Sequence, residues 1–413
     1  MAQQALAPAA AASAGTLQTV TVTAERRAEN IKDVPSSVST LSGEKLDVLA
    51  SSGQDVRLLS GRVPSLNIES SFGRAFPRFY IRGYGNPDFR ANASQPVSLV
   101  YDDVVLESPL LKGFPIFDLA RVEVLSGPQG SLFGRNTPGG VVKFDSVAPE
   151  IGASDGFGSL SYGSLSTLNV EAAKSFALGP QWAARVAMLY QHRDDWVTNT
   201  RPTAPTQKTE GYDDRAARVQ LLYKPASDFS ALFNAHGRDL DGAARVFRAN
   251  IIKKGTNDLV DGFEPGLFST DGRNEQRIQS YGGSARLRWV FGDYALNSIT
   301  GYETVHTYSR GDIDGGYGAV FAPPSGPGLI PFPSETAGAL RGHRQITQEF
   351  RVESRYTGPL NWQAGVYYFN EQFTSDTHGY NSLAGGAQTS LLTDTQKSTS
   401  YAVFGSVKYD ITP

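Results

Sequence analysis

From about Gly156 onward the chain alternates. In "RQITQEFRVESRYTG" the odd positions Gln345, Thr347, Glu349, Arg351, Glu353 and Arg355 are polar, while the even positions include Ile346, Phe350, Val352 and Tyr356. A period of two predicts a strand with one wet face and one apolar face. "RAARVQLLYK" sets Val219, Leu221 and Tyr223 against Arg218, Gln220 and Lys224. "SYGGSARLRWV" sets Tyr281, Leu287 and Trp289 against Ser284, Arg286 and Arg288. "QWAARVAMLY" sets Trp182, Val186, Met188 and Tyr190 against Arg185. About ten such segments recur. Short joints fall at Gly179–Pro180, Pro225–Ser227, Phe291–Asp293 and Thr357–Leu360, and long ones at Asp194–Asp213, Asp239–Asn274, Gly311–Leu340 and Thr374–Gln396. Short turns on one side, long loops on the other and aromatics near strand ends are the pattern of an outer-membrane barrel. A soluble sandwich would bury the apolar face against a second sheet. It rarely needs strands this long, or so many arginines on the opposite face.

Residues 30–150 read differently, as a small α/β domain. "SGEKLDVLASSGQDVRLLSGRVP" carries a helix start at Ser42, then Leu46, Leu49, Val56 and Leu59 at helical spacing. Short strands follow at "RFYIRG", "SLVYDDVVL", "RVEVL" and "VVKF", separated by turn clusters. Residues 1–29 form a flexible N-terminal segment, Ala-rich and uncharged at its start, like the residues left after a signal has been removed. Within it "TLQTVTVT" alternates β-branched residues. Such a strand either adds to the sheet edge of a partner or dangles.

Composition narrows the choices. The 413 residues include no cysteine, which excludes a disulfide scaffold, thiolate metal sites and a cysteine nucleophile. A net charge of -3 gives no reason to expect nucleic acid. No window approaches the ~18 apolar residues of a membrane-crossing helix, whereas a barrel crosses lipid with only every second residue apolar. The five histidines are scattered without H-E-x-x-H spacing, and there is no G-x-S-x-G elbow. A barrel enzyme and a soluble β-rich binding protein are therefore the lesser alternatives. The sequence points to no cofactor, no catalytic residue, and no metal-ligand or dense acidic cluster in the loops.

"RVEVLSGPQGSLFGRNTPGG", Arg121 to Gly140, could be a phosphate loop or a turn scaffold. A phosphate loop needs G-x-x-x-x-G-K-[ST] opening a helix. Here Arg135 and Asn136 follow Gly134, and the run returns to a strand. The glycines suit tight turns and positive φ. This stretch, with "TVTVTA", "DVPSSVSTLSGEKL", "FYIRGYG" and "SLVYDDVVL", resembles the TonB-dependent outer-membrane receptors, over the whole of residues 30–150 and more loosely beyond.

The resemblance implies a mainly β protein: a small α/β plug domain at 30–150, then an antiparallel transmembrane β-barrel from 151–413. It holds about ten of about 22 strands, so about a dozen more are expected after Pro413. Ten strands alone would close too narrowly to hold the plug. The implied setting is the outer membrane of a Gram-negative bacterium, with the N-terminus periplasmic. The implied activity is energy-coupled uptake of a scarce, bulky nutrient: a ferric siderophore, or alternatively cobalamin or an oligosaccharide. Implied partners are outer-membrane lipid, that ligand and a TonB-type inner-membrane protein, which the box Thr19, Val20, Thr21, Val22 and Thr23 would recruit. Arg82 matches the plug arginine; the barrel carboxylates that answer it are expected in the strands after Pro413, although Glu349 and Glu353 also face the predicted lumen. Gly127, Pro128, Gln129, Gly130, Gly134, Arg135, Gly139 and Gly140 match the hinge-rich plug core. Ser126 departs from the family's arginine and puts that part of the ionic latch in question. Phe72, Arg74, Tyr84, Asn86, Asp88, Phe89 and Arg90, in connections between strands, are the candidate ligand contacts.

Overall fold

A computed structural model describes residues 20–27, 29–50, 53–249, 251–253, 255–315, 335–381 and 384–411. It contains two sheets of consequence.

The inner domain begins with β1 (Thr21–Val22) paired antiparallel to β2 (Glu29–Asn30). Then come β3 (Ser37–Ser42), α1 (Glu44–Ala50), β4 (Leu66–Glu69), β5 (Arg78–Ile81), β6 (Val97–Tyr101) and β7 (Val104–Leu106). β8 (Leu119–Ser126), the single turn α2 (Gly130–Phe133) and β9 (Gly140–Ser146) complete it. Five strands form one sheet in the order β3-β8-β9-β6-β7, with β6 and β9 parallel. In β8, Val122 and Val124 are fully enclosed, and they pack with Val142, Phe144, Leu99 and Leu46 in the main core. The expected run of helix is two pieces: α1, then a 3₁₀ turn at Val56–Leu59 capped by the Asp55 side chain. Gly53, at φ +69°, separates them. Ser42 is the last residue of a strand rather than a helix cap.

The outer sheet, here the wall, is an antiparallel meander. Its strands are β10 (Gly156–Tyr162), β11 (Leu168–Ala177), β12 (Trp182–Arg193), β15 (Tyr212–Ala226), β16 (Phe229–Gly242), β18 (Glu275–Phe291), β19 (Tyr294–Asp312), β20 (Glu335–Ser354), β21 (Leu360–Asn381) and β22 (Ala387–Tyr409). β13 (Val197–Asn199), β14 (Lys208–Thr209) and β17 (Leu267–Phe268) form a small sheet among the long connections. The long connections are 194–211, 243–274 and 313–334. The expected loop at Thr374–Gln396 is instead strand: β21 and β22 pair out to Asn381 and Ala387. Residues 387–395 are exposed on both faces of β22, so the alternation that marks a strand elsewhere is lost there.

The facing of the wall follows the period-two pattern. Gln345, Thr347, Glu349, Arg351 and Glu353 are buried against the inner domain, whereas Ile346 and Phe350 on the same strand are exposed. Arg218 and Gln220 are buried beside exposed Val219. The apolar face thus looks outward, and the polar face wraps the inner domain.

Candidate functional site

The inner domain is seated on the wall by buried ion pairs. Asp118 leaves β-space at φ +48° just before β8 and takes two arginines at once. Arg185 on β12 reaches its Oδ1 at 2.5 Å, and Arg218 on β15 reaches its Oδ2 at 2.8 Å. Arg218 also donates to the Tyr101 hydroxyl at 2.6 Å and lies over the Phe117 ring. Asp103 pairs with Arg286 at 3.0 Å. The polarity reverses nearer the long loops, where Arg74 of the inner domain and Arg238 of the wall share Asp214 at 3.2 and 2.8 Å. Burial opposes the Arg74 charge, but Asp214, Asp55 and Tyr212 outweigh it and raise its pKa. Neutral bonds fill the gaps: Gln345 donates to Val105 O at 2.6 Å, Gln220 to Ser146 Oγ at 2.8 Å, and Asn234 to Asp102 at 3.0 Å.

Beside Arg74 lies a cavity of about 480 Å³ on the long-loop side. Arg57, Arg74, Arg193 and Arg245 line it with Tyr212 and Gln276, while Asp55 and Glu210 supply the opposite charge. Gly73, at φ +59°, brings the chain against Ala243 O, where no side chain would fit. A polar cleft of this size suits a ligand bearing anionic groups. Arg193, Tyr212 and Arg245 were not singled out from sequence; the available signal was that Arg193 and Tyr212 flank a long connection and Arg245 lies within one.

A family model described as the TonB-dependent Receptor Plug Domain matches residues 30–141. Residues 30–141 are a TonB-dependent receptor plug domain. The chain is similar to a ferrioxamine receptor of Yersinia enterocolitica, 29% identical over 118 residues, which covers 29% of this chain and 15% of the relative. The fold is that of the ferric yersiniabactin uptake receptor from Yersinia pestis, at a TM-score of 0.61 and 18% identity, covering 91% of this chain and 62% of that one. It is also that of the ferripyoverdine receptor of the outer membrane of Pseudomonas aeruginosa, at a TM-score of 0.66 and 14% identity, covering 95% and 52%. The chain therefore spans a small part of the curated relative and little more than half of the two solved structures. The relatives are receptors and transporters rather than enzymes, and a wall with an apolar outer face belongs in the outer membrane.

The described part of the alternating N-terminal segment, residues 20–23, does not dangle. Thr19 lies outside the described residues. Val20 is partly exposed and accepts from Ile31 N at 2.9 Å, and Val22 is enclosed with Val100, Leu125 and Val141 of the plug sheet. Thr23 donates its amide to Glu123 at 2.8 Å and accepts from Lys143 Nζ at 2.6 Å. Arg26 then crosses to the wall, pairing with Glu349 at 3.0 Å, and Arg27 donates to Trp362 O. Residues 20–27 thus clip plug to wall on the short-turn side, opposite the cavity.

Among the described residues, Glu349 and Glu353 do not answer Arg82. Arg82 is exposed at φ +54°, its amide donates to Ser65 O, and it makes no ion pair among the described residues. Glu349 is taken by Arg26 and Arg351, and Glu353 by Arg288. Ser126 merely closes β8 opposite Ser37 and Gly140.

In the hinge stretch Gly127 and Gly134 adopt φ +96° and +77° around the helical turn α2, where the glycine-rich pattern predicts turns alone. Pro128 and Gln129 lead into that turn, and the Gln129 amide pairs back to Thr137 O at 3.1 Å. Gly139 packs beside Tyr84 and Val97, and a Cβ on Gly140 would overlap Leu125 O. Arg135 pairs with Glu107 at 3.4 Å and lies over Phe369 of the wall.

The candidate ligand residues divide. Arg74 reaches the cavity, and the neighbouring Phe72 carbonyl accepts from Gln276 at 2.7 Å. Tyr84 and Phe89 stand exposed on a separate loop, which Asn86 braces by donating to Ser94 O at 2.7 Å and where Asp88 pairs with Arg90 at 3.1 Å. Phe89 returns to within 6.2 Å of Phe72. The loops also hold a feature that spacing did not reveal: Asp271, Asp312 and Asp314 meet in a buried cluster.

Proposed function

We propose that residues 1–29 carry the TonB box, 30–150 form the plug and 151–413 form the first part of the barrel of a receptor that imports a ferric siderophore. The observation that carries this reading is the placement of two devices at opposite ends of the plug. An arginine-lined cavity lies at the long-loop end, and the docked box, with Val22 buried and Thr23 bound to Glu123, lies at the other. A ligand at the cavity perturbs Arg74 and its shared Asp214. Release of residues 20–27 then offers Thr19–Thr23 to a TonB-type inner-membrane protein, which pairs with them as an added strand and pulls. The names of the relatives as ferrioxamine, yersiniabactin and pyoverdine receptors support the choice of ligand class.

The test is uptake of iron-labelled siderophores by cells bearing the full receptor or its Val20→Pro variant. Proline keeps the carbonyl that accepts from Ile31 and removes the N–H that an added strand needs. Binding at the cell surface should persist while accumulation falls to background. Unchanged accumulation in the variant removes the pulling mechanism. Binding of cobalamin or an oligosaccharide, and of no siderophore tried, replaces the ligand class.

A further inference from the structure

The cavity beside Arg74 holds more positive charge than its own carboxylates neutralise. Four arginines and two carboxylates line it, in a chain whose net charge is -3. Two of the arginines are committed. Arg57 grips Asp55 through Nε and Nη2, at 2.9 and 2.7 Å, and Arg74 is held by Asp214 at 3.2 Å. The other two form no ion pair among the described residues. Arg193, the last residue of β12, donates from Nη2 to the main-chain Glu210 O at 3.1 Å. Arg245, just past the end of β16, is exposed. The Glu210 carboxylate accepts the Val246 amide at 3.3 Å rather than either guanidinium.

A guanidinium without a counter-charge presents an open fork, which a carboxylate fills with two parallel N–H···O bonds. Ferric chelates differ in what they offer such a fork. A catecholate chelate is anionic but presents aromatic rings, which need ring or apolar surface to cover them. Tyr212 is the one ring among the lining residues, and Arg74 and Arg193 already lie over it at 4.1 and 5.2 Å. A hydroxamate chelate with a free ammonium meets the unpaired arginines with like charge. A chelate with carboxylates to spare meets them with the charge and the shape they lack.

We propose that the cavity selects ferric chelates bearing free carboxylates, of the hydroxycarboxylate class, and that Arg193 and Arg245 determine this specificity. The inference rests on the reading of the chain as a siderophore receptor and narrows its ligand. Arginine keeps its charge throughout the physiological range, so the preference follows salt concentration through screening.

The test is calorimetric titration of the full receptor in detergent with three probes: ferric citrate, ferrioxamine B, whose hydroxamate chelate carries a free ammonium, and a ferric tris-catecholate. Ferric citrate should bind about ten-fold or more tighter than the other two at low salt, and the margin should shrink at high salt. Arg193→Gln and Arg245→Gln should each weaken ferric citrate about ten-fold or more, closing the margin over ferrioxamine B. Lys32→Gln, which removes an exposed charge beside Ile31 at the box end, should move none of the three. Arg245 is exposed and strands no partner, so its variant keeps the test valid if Arg193→Gln does not fold. Equal affinity for ferric citrate and ferrioxamine B, tighter binding of the tris-catecholate, or unaltered citrate binding by both variants overturns the carboxylate assignment and leaves the siderophore-receptor reading standing. Binding of none of the three iron chelates removes that reading and this inference with it.

Discussion

Plug and wall are built from the same residue types turned opposite ways. In the plug, Val122, Val142 and Phe117 are enclosed in an apolar core, and the buried charges Glu123 and Lys143 lie on neighbouring strands of the sheet. In the wall, Met188, Tyr281 and Val366 face outward, while Arg218, Asp214, Gln345 and Glu349 are buried. The difference lies in the surroundings rather than the composition. The plug has water and wall around it and makes its own apolar core. The wall has hydrocarbon outside, so its dry side is its outer side and its interior is polar. The two halves meet through charges and hydrogen bonds, where the seating pairs occur, and also through wall residues such as Leu240, Ile278 and Leu340 that join the plug's apolar core.

Removing a seating charge tests this contrast hardest. Asp118→Ala leaves Arg185 and Arg218 buried without their carboxylate, and the loss should be about 3–5 kcal/mol. Denaturant unfolding in lipid or detergent reads it, and a change below about 1 kcal/mol would mean that water already serves both arginines.

The outward face comes next. Met188 lies mid-strand in β12 and is 54% exposed, so Met188→Lys should cost about 2–4 kcal/mol in bilayers. Val352 sits two residues from the short-turn end of β20, so Val352→Lys should cost only about 0–1 kcal/mol. Equal costs would show that depth along the strand does not matter and that the wall is not embedded as its pattern implies.

The smallest effect comes from the plug interior. Burial pushes the Lys112 pKa down to about 8 from an ordinary 10.5, against the pull of Glu107 and Glu371. The unfolded chain holds this proton up to higher pH. The protein should therefore gain stability as pH rises from about 8 toward 10.5, and lose that gain as pH falls back through 8. Lys112→Met should flatten the slope in thermal unfolding measured across that window, and an unchanged slope would assign it to another group.

How much was readable depends on whether a residue's two sides differ. The alternation of Gln345 to Tyr356 was legible because lipid lies on one side and the plug on the other. Thr374 to Gln396 was not, because Ala387 to Thr395 within it are exposed on both faces. The plug strands at Arg78–Ile81 and Leu119–Ser126 stood out as short β-branched or aromatic runs between turns, whereas Ser37–Ser42, rich in serine, did not. Leu46 to Leu59 looked like one helix, since spacing does not record the turn that Gly53 makes. Partners far apart in sequence were not legible either. Nothing near Asp118 names Arg185 and Arg218, nothing in Arg82 says that Arg26 holds Glu349 instead, and Asp271 and Asp312 are 41 residues apart.

The polar seating has a mechanical consequence. A stopper glued by grease would have to expose its whole contact area before it could slip. Contacts such as those of Arg74, Asp118, Gln220 and Asn234 can be wetted free a bond at a time, each donor or acceptor trading its partner for a water molecule. The same contacts that make the closed state tight let it be lubricated open.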